Sequence, residues 1–359
     1  MNKKKLILVS RNSHSNSSLN FEKNTSNISR SLYNRLIEPL KYLAEEYDNE
    51  YELLVLDKED TKKAANKNDL VFLCKHYSEE YIELCNYLKK ESINYFYDID
   101  DLIYINTKNS NIGSKDINLD SFYKILSNAT KVICSNIYIK EKLNRDFDYL
   151  NIGIIPTCIN TKKYLPQFIK KTNRSIHLTN GDKLKIVKNR DLFLKAINNF
   201  LETKKYQLEC ISDDKTLPLA INNINYLGIM KWDDHKKFLS QTKAEFAIIP
   251  LGTKEENSID YDFSLGKTPI KYLEYAAFGI PGIYSKHPIY DEIIQDEFNG
   301  LLVDNNLESW VNALNKLSSN LELREKISRN ARNDVEKNFD ISLMASLWRE
   351  TINDQKLYF

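Results

Sequence analysis

The sequence predicts an α/β fold: two open parallel sheets in series, each with helices on both faces. Three observations predict it. Strand-like apolar runs alternate with segments of helical periodicity along most of the chain. The alternation breaks once, at the polar, lysine-rich stretch "TCINTKKYLPQFIKKTNR" that begins at Thr157, and then resumes. The 359 residues are enough for two domains of ordinary size. The expected division is residues 1–157 for the first Rossmann-like domain and 158–338 for the second. Residues 339–359 are expected as a C-terminal helix that packs back toward the first domain.

The elements follow in order. "KLILVS" is the first strand and "SNISRSLYNRLIEPLKYLAEEY" a long amphipathic helix. "YELLVL", "DLVFLC", "INYFYDID", "KVICS" and "LNIGIIP" are further strands, with helices at "SEEYIELCNYLKKE", "FYKILSNA" and "NIYIKEKLNRDF". "NTKNSNIGSKDINLD" reads as a loop. The second series runs "SIHLTN", the helix "NRDLFLKAINNFLET", then "YQLECIS", "INYLG", the helix "DDHKKFLSQT" and "EFAIIPL". A loop, "GTKEENSIDYDFSLGK", leads to another helix, then to "PGIYS", "YDEIIQDEFNGLLV" and "LESWVNALNKLSSN". The tail from Glu322 onward is almost all helix. Ligands of such sheets bind beyond the carboxyl ends of the strands, so a cleft between the two domains is the expected site.

Composition narrows the function classes. Hydrophobic residues are 42% and charged residues 28%, with a net charge of +1, which gives no support for general nucleic-acid binding. No apolar run approaches the ~20 residues that span a bilayer. "MNKKKLILVSRNSHS" lacks a small-residue cleavage site and reads as a first strand, so a cytoplasmic protein is expected. Five scattered cysteines without C-x-x-C argue for free thiols and against a zinc site. Glycine-rich phosphate motifs of the dinucleotide or P-loop kind are absent. "SRSLYNRLIEPLKY", with Arg30, Arg35 and Lys41 beside an apolar face, can lie on anionic lipid at the inner face of a membrane; core packing explains it as well.

The most informative stretch is "GKTPIKYLEYAAFGIP", Gly266–Pro281. Thr268 is expected to cap a helix and Pro269 to open it; Gly279 and Pro281 end it. Ile270, Leu273, Glu274 and Ala277 then share one face, which sets a single carboxylate among apolar side chains. Lys267 and Lys271 stand where the helix already carries positive partial charge, a conflict that a bound phosphate removes.

These residues carry a resemblance. "KTPIKYLEYAAFGIPGIYS", "YDEIIQDEFNGLLV", "LREKISRNARNDVEKNF", "GIIPTCINTKKYLP" and "INYLGIMKWDDHKKFLSQTKAEFAIIPL" resemble the C-terminal half of GT-B-fold glycosyltransferases of the large retaining group called family 4, glycosyl transferases group 1. The likeness is specific over Ile154–Trp348 and weaker in the N-terminal half, where it rests on "YFYDIDDLIY" and "ATKVICSNIYIKEKL". It implies transfer of a sugar, of hexosyl type, from a UDP- or GDP-linked nucleotide sugar to a glycan or lipid-linked acceptor in surface polysaccharide or glycan synthesis. By the resemblance Glu274 binds the donor ribose, and Lys267, Thr268, Ile270 and Lys271 lie at its pyrophosphate. Lys185 meets the leaving phosphate, with Lys183, Lys188 and Arg190 as alternatives. No metal and no other cofactor is expected. The family often has a second glutamate where this chain has Gly266, and Asp260 or Asp262 are candidates to replace it.

"YDIDD" raises a separate question. Asp98 and Asp100 form a D-x-D, the metal–nucleotide pattern of GT-A enzymes, but here at a strand end, where both point to one side. Asp98 is the expected cleft-edge carboxylate, as acceptor contact or general base, with Asp100 and Asp101 beside it; local capping is the plainer alternative. His14 marks an unusual acceptor loop, and His76 and His287 read as bystanders. Two other functions remain in play: a nucleotide-sugar epimerase, and a degenerate GT-B subunit that binds without catalysis.

Overall fold

A computed structural model describes residues 3–10, 32–105, 117–166, 173–179, 189–252 and 259–354. The chain forms two compact units, Met1–Cys158 with Leu265–Thr268 and Ile341–Phe359, and Ile159–Ser264 with Pro269–Asp340.

The first unit is a six-stranded sheet of β1 (Lys4–Val9), β2 (Tyr51–Leu56), β3 (Leu70–Cys74), β4 (Asn94–Ile99), β5 (Lys131–Cys134) and β6 (Ile152–Ile154). Its order is β2-β1-β3-β4-β5-β6, and every pairing is parallel. Parallel strands are covered on both faces, which is why "LVFLC" in β3 is buried at every position. Its helices are α1 (Glu38–Glu46), preceded by a π-helical turn at Tyr33–Ile37, α2 (Lys58–Ala64), α3 (Glu79–Lys90), α4 (Leu119–Ser127) and α5 (Ile137–Asp146). Asp57, Asn118 and Asn136 cap α2, α4 and α5 by accepting from the amides of Asp60, Ser121 and Ile139.

The second unit contains β7 (Ser175–Thr179), α6 (Arg190–Lys204), β8 (Gln207–Ile211), α7 (Leu217–Ala220), β9 (Ile224–Gly228), α8 (Trp232–Gln241), β10 (Phe246–Ile249), α9 (Ile259–Leu265), α10 (Ile270–Ala277), β11 (Gly282–Ser285), α11 (Pro288–Asp291), β12 (Leu301–Val303), α12 (Leu307–Ser319) and α13 (Leu321–Asn338). The sheet order β12-β11-β10-β7-β8-β9 is the doubly wound order, with its reversal between β7 and β10. One face is covered by α6 and α12, where Phe193 meets Trp310 edge-on at 4.9 Å between ring centroids. Against the other face lie α10 and α13, with Tyr272, Leu273, Ala276, Ala331 and Val335 in one cluster. The final helix α14 (Ile341–Asn353) belongs to the first unit and packs on α1.

Several local expectations change. Residues 259–265 are helical, where the polar sequence reads as loop. Helix α2 escapes the periodicity argument because it is two turns of mostly charged residues held by its Asp57 cap. The tail is helical as expected and divides into α13 and α14. The break falls where Ile159 N–H takes the Phe339 carbonyl (3.0 Å), and Asp340 accepts from Thr161 N–H (3.2 Å) and from the Thr161 hydroxyl. The basic amphipathic stretch is spent on the core: Arg35, Leu36, Ile37, Leu40 and Leu43 are all buried. No described helix is long and apolar enough to cross a membrane. All five cysteines are free and buried.

Trp348 in α14 is 1% exposed and meets Phe72 of β3 edge-on at 5.7 Å. Trp348→Ala is expected to destabilise the first unit by about 3–5 kcal/mol, measured by urea unfolding. Leu343→Ala, at a position 41% exposed on the same helix, is the control and should leave the midpoint nearly unchanged.

Candidate active site

In the second unit the sheet order reverses between β7 and β10, and open α/β sheets bind ligands beyond the carboxyl ends of the strands at such a point. One asparagine organises that edge. Asn305 Nδ2 donates to the carbonyl of Leu251 after β10 (2.7 Å), and its Oδ1 accepts from the Ser285 hydroxyl at the end of β11 (2.7 Å). Ser285 Oγ in turn accepts from Leu251 N–H (2.9 Å), and Asn189, before α6, donates to the Asn305 carbonyl (2.8 Å). Gly252 has φ +117°, and a Cβ there would stand 2.9 Å from Asn305 Nδ2, so this turn requires glycine. Neither Asn305 nor Ser285 announces itself in the sequence, since "LLVDNN" reads as an ordinary strand exit.

Helix α10 runs back from this edge. Its N-cap is Pro269 and no side chain caps it, so the expected Thr268 cap is not formed. Proline leaves no N–H to satisfy at that point. The far end is held by Arg332, 7% exposed, whose guanidinium donates to the carbonyls of Ala277 (2.5 Å), Tyr164 (2.8 Å) and Thr161 (3.0 Å). Glu274 is 1% exposed, as its place on the apolar face implies, and Lys271 Nζ donates to its Oε2 at 3.1 Å. The pair is one helical turn apart, the spacing at which side chains meet. Ile270 opens the same helix, so Ile270, Lys271 and Glu274 are brought together.

The other expected residues fall elsewhere. Lys183, Lys185 and Lys188 lie outside the described residues, as do His14 and the side chain of Asp260. Arg190 donates to Asp214 (3.1 Å) and to the Thr216 hydroxyl (3.0 Å), so its guanidinium already has a carboxylate. The His287 ring has a structural place: it caps α11 by accepting from Ile289 N–H and meets the Ser264 hydroxyl at 2.9 Å, and burial lowers its pKa to about 4. His76 is buried and accepts from Cys74 N–H at 3.1 Å.

Lys267 and Thr268 belong to the first unit. Asn136 Nδ2 donates to the carbonyls of Leu265 (3.3 Å) and Lys267 (3.2 Å), and Lys267 Nζ meets Asp101 Oδ1 at 2.6 Å. Asp101 also meets Lys75 Nζ at 3.0 Å, and Lys75 reaches Asp100 at 2.8 Å. Lys75 takes φ +57°, a left-handed conformation unusual for a side chain this long, immediately after β3. Burial opposes its charge, but the carboxylates of Asp100 and Asp101 outweigh that and hold its ammonium above the usual lysine range. Gly266 lies in the same segment. A Cβ there would come within 2.8 Å of Leu102 Cγ and 3.1 Å of Leu102 N, so this position has no room for the glutamate that the resemblance implies here.

Asp98 sits deeper than the sequence implies. It is 1% exposed, and Arg35 donates to it from Nε (3.0 Å) and Nη2 (2.5 Å) while Nη1 donates to the Ile155 carbonyl (2.5 Å). A carboxylate so held is a counter-ion within the fold. Among the described residues no group of three or more His, Cys, Asp or Glu is placed to hold a metal ion.

Residues 178–334 match the family described as glycosyl transferases group 1. Solved structures extend the likeness over both units. Anabaena HepE, solved with UDP and glucose, is 12% identical, covers 98% of this chain and 99% of its own, and has a TM-score of 0.65. Sucrose-phosphate synthase from Thermosynechococcus elongatus is 12% identical over 98% and 100%, with TM-score 0.64. A glycosyltransferase from Rickettsia africae is 16% identical over 99% and 100%, with TM-score 0.64. At such identities the likeness is one of fold, and the fold is GT-B, two Rossmann-like domains. No curated protein sequence matches the chain.

Asp98→Asn tests which role that carboxylate has. Removing one partner of a buried ion pair leaves Arg35 uncompensated and is expected to cost about 3–5 kcal/mol in urea unfolding. Unchanged stability with lost activity would instead make Asp98 a carboxylate that serves the reaction.

Proposed function

We propose that the protein is a retaining glycosyltransferase that transfers a hexose from a nucleotide sugar to a hydroxyl of a glycan or lipid-linked acceptor, in the synthesis of a surface polysaccharide or glycan. One observation carries this reading: in a group 1 domain, the single buried carboxylate of α10, Glu274, sits beside Lys271 near the start of a helix. A carboxylate accepts two hydrogen bonds from a ribose diol, and an ammonium at a helix start attracts the diphosphate next to it. HepE has been solved with UDP-glucose, which favours UDP over GDP as the donor base here.

In the transfer, the bond between the sugar's anomeric carbon and the diphosphate oxygen breaks, and its electron pair leaves on the phosphate. The acceptor oxygen forms the new bond to that carbon from the same face, and its proton passes to the departing phosphate oxygen. The charge that develops on the diphosphate has to be met by groups already in place. Lys271 and the amides at the start of α10 are assigned to it, together with Lys185, which follows β7 in the sequence. These groups need no divalent metal, so transfer is proposed to be metal-independent.

The non-catalytic alternative gains from Gly266, where the family's second glutamate is missing. Turnover decides between them. UDP and GDP sugars are screened by thermal shift, and those that stabilise the protein are tested for transfer or slow hydrolysis with excess EDTA. Retained turnover in EDTA is expected; binding without any release of nucleotide would establish the non-catalytic reading. Glu274→Gln should weaken nucleotide binding roughly ten- to hundredfold in protein that is still folded, read by titration calorimetry below the variant's own melting temperature. Wild-type affinity in that variant would remove Glu274 from the site.

A further inference from the structure

Behind α10, in the second unit, lies a buried hydrogen-bonded chain that the reading above does not use. His177 in β7 is 0% exposed, Thr179 at the end of β7 is 8% exposed, and His235 in α8 is 1% exposed. His177 Nδ1 is 3.0 Å from the Glu209 carbonyl of β8, its Nε2 is 2.7 Å from Thr179 Oγ1, and Thr179 Oγ1 is 3.3 Å from His235 Nε2.

The proton order of this chain follows from donor and acceptor rules. A carbonyl only accepts, so His177 carries its proton on Nδ1. In the neutral ring Nε2 is then an acceptor, and the Thr179 hydroxyl donates to it. Thr179 Oγ1 is thereby free to accept, so His235 carries a proton on Nε2. A second proton on His177 would reverse the Thr179 bond and place a cation beside Lys271. Burial, and after it the Lys271 ammonium, lower the His177 pKa to about 3, so the ring is neutral at working pH. Among the described residues Lys271, Glu274, His235 and Tyr275 are charged or titratable groups that face it.

The same ring touches three elements of the site. Its plane stands edge-on to Tyr275 of α10, 5.8 Å between centroids and next to Glu274 in sequence, and it packs against Phe238 of α8 at 5.1 Å. His177 thus connects the end of β7, α8 and the helix that bears Lys271 and Glu274. We propose that His177 is a positioning residue for nucleotide-sugar binding: its imidazole, with the proton on Nδ1, seats the end of β7 and helix α10 so that Glu274 and Lys271 meet the donor. This rests on the donor site proposed above.

Two variants separate the halves of the ring. His177→Gln places an amide near the Nε2 position and keeps a partner for Thr179; His177→Asn keeps only the contact near Nδ1 with the Glu209 carbonyl. UDP and UDP-glucose affinities are measured by titration calorimetry, with melting temperatures alongside. The Asn variant is expected to bind roughly five- to tenfold more weakly than wild type, and the Gln variant within about twofold of it, at similar melting temperatures. Equal affinities in folded Asn and Gln variants would overturn the proposal. Should both fail to fold, nitrogen-15 NMR of the wild-type histidines decides: the proposal requires a His177 ring protonated at Nδ1 whose signals move on saturation with UDP. A ring protonated at Nε2, or unmoved by UDP, overturns it. Wild-type protein that binds neither UDP nor UDP-glucose overturns the UDP donor reading, and this inference with it.

Discussion

Two parallel sheets that must be covered on both faces set most of what this molecule can do. Parallel pairing buries the strands and sends every crossover through a helix, so polar groups gather where strands end and helices begin. In the second unit that edge holds Thr179, and beside it Leu251, Ser285 and Asn305, tied together by hydrogen bonds of the Ser285 and Asn305 side chains. In the first unit the ends of β3 and β4 hold Lys75, Asp98, Asp100 and Asp101. The chemistry sits at strand ends because nowhere else in such a sheet can a charge keep access to water and partners.

The lysines at the start of α10 show how such charges are balanced. The sequence sets Lys267 and Lys271 against the helix dipole and suggests that an anion resolves the conflict. Each already has a carboxylate: Asp101 for Lys267 and Glu274 for Lys271. The same rule holds deeper in the first unit, where Arg35 and Asp98 pair out of contact with water. Breaking such a pair costs far more than the pair contributes, so these residues are bound to each other by the penalty of separation.

Strand positions were legible because apolar runs of β-branched and aromatic residues have few other readings; "LVFLC" and "FAII" are buried throughout. Glu274 was legible as a carboxylate on an apolar face, and it is buried. Contacts between distant segments were not legible. Arg35 and Asp98 are 63 positions apart, and nothing local to "YDIDD" reveals a guanidinium arriving from the turn before α1. Lys75 shows the same limit, since the Asp101 carboxylate it meets lies 26 positions along the chain. Helix α9 was hidden for a different reason: a seven-residue helix has too few turns to display a period.

Gly266 joins these two levels. In sequence it is a departure from the family pattern, a missing carboxylate. In space it is a requirement, because Leu102 occupies the volume a side chain would need. The segment Leu265–Thr268 is held from both sides, by Asn136 on its carbonyls and by Asp101 on Lys267. A glutamate at 266 would have to displace Leu102, whose own neighbour Asp101 holds that segment. A side chain at 266 and the present packing of Leu102 therefore exclude each other. Any carboxylate that contacts a donor sugar in this protein comes from another position in the chain.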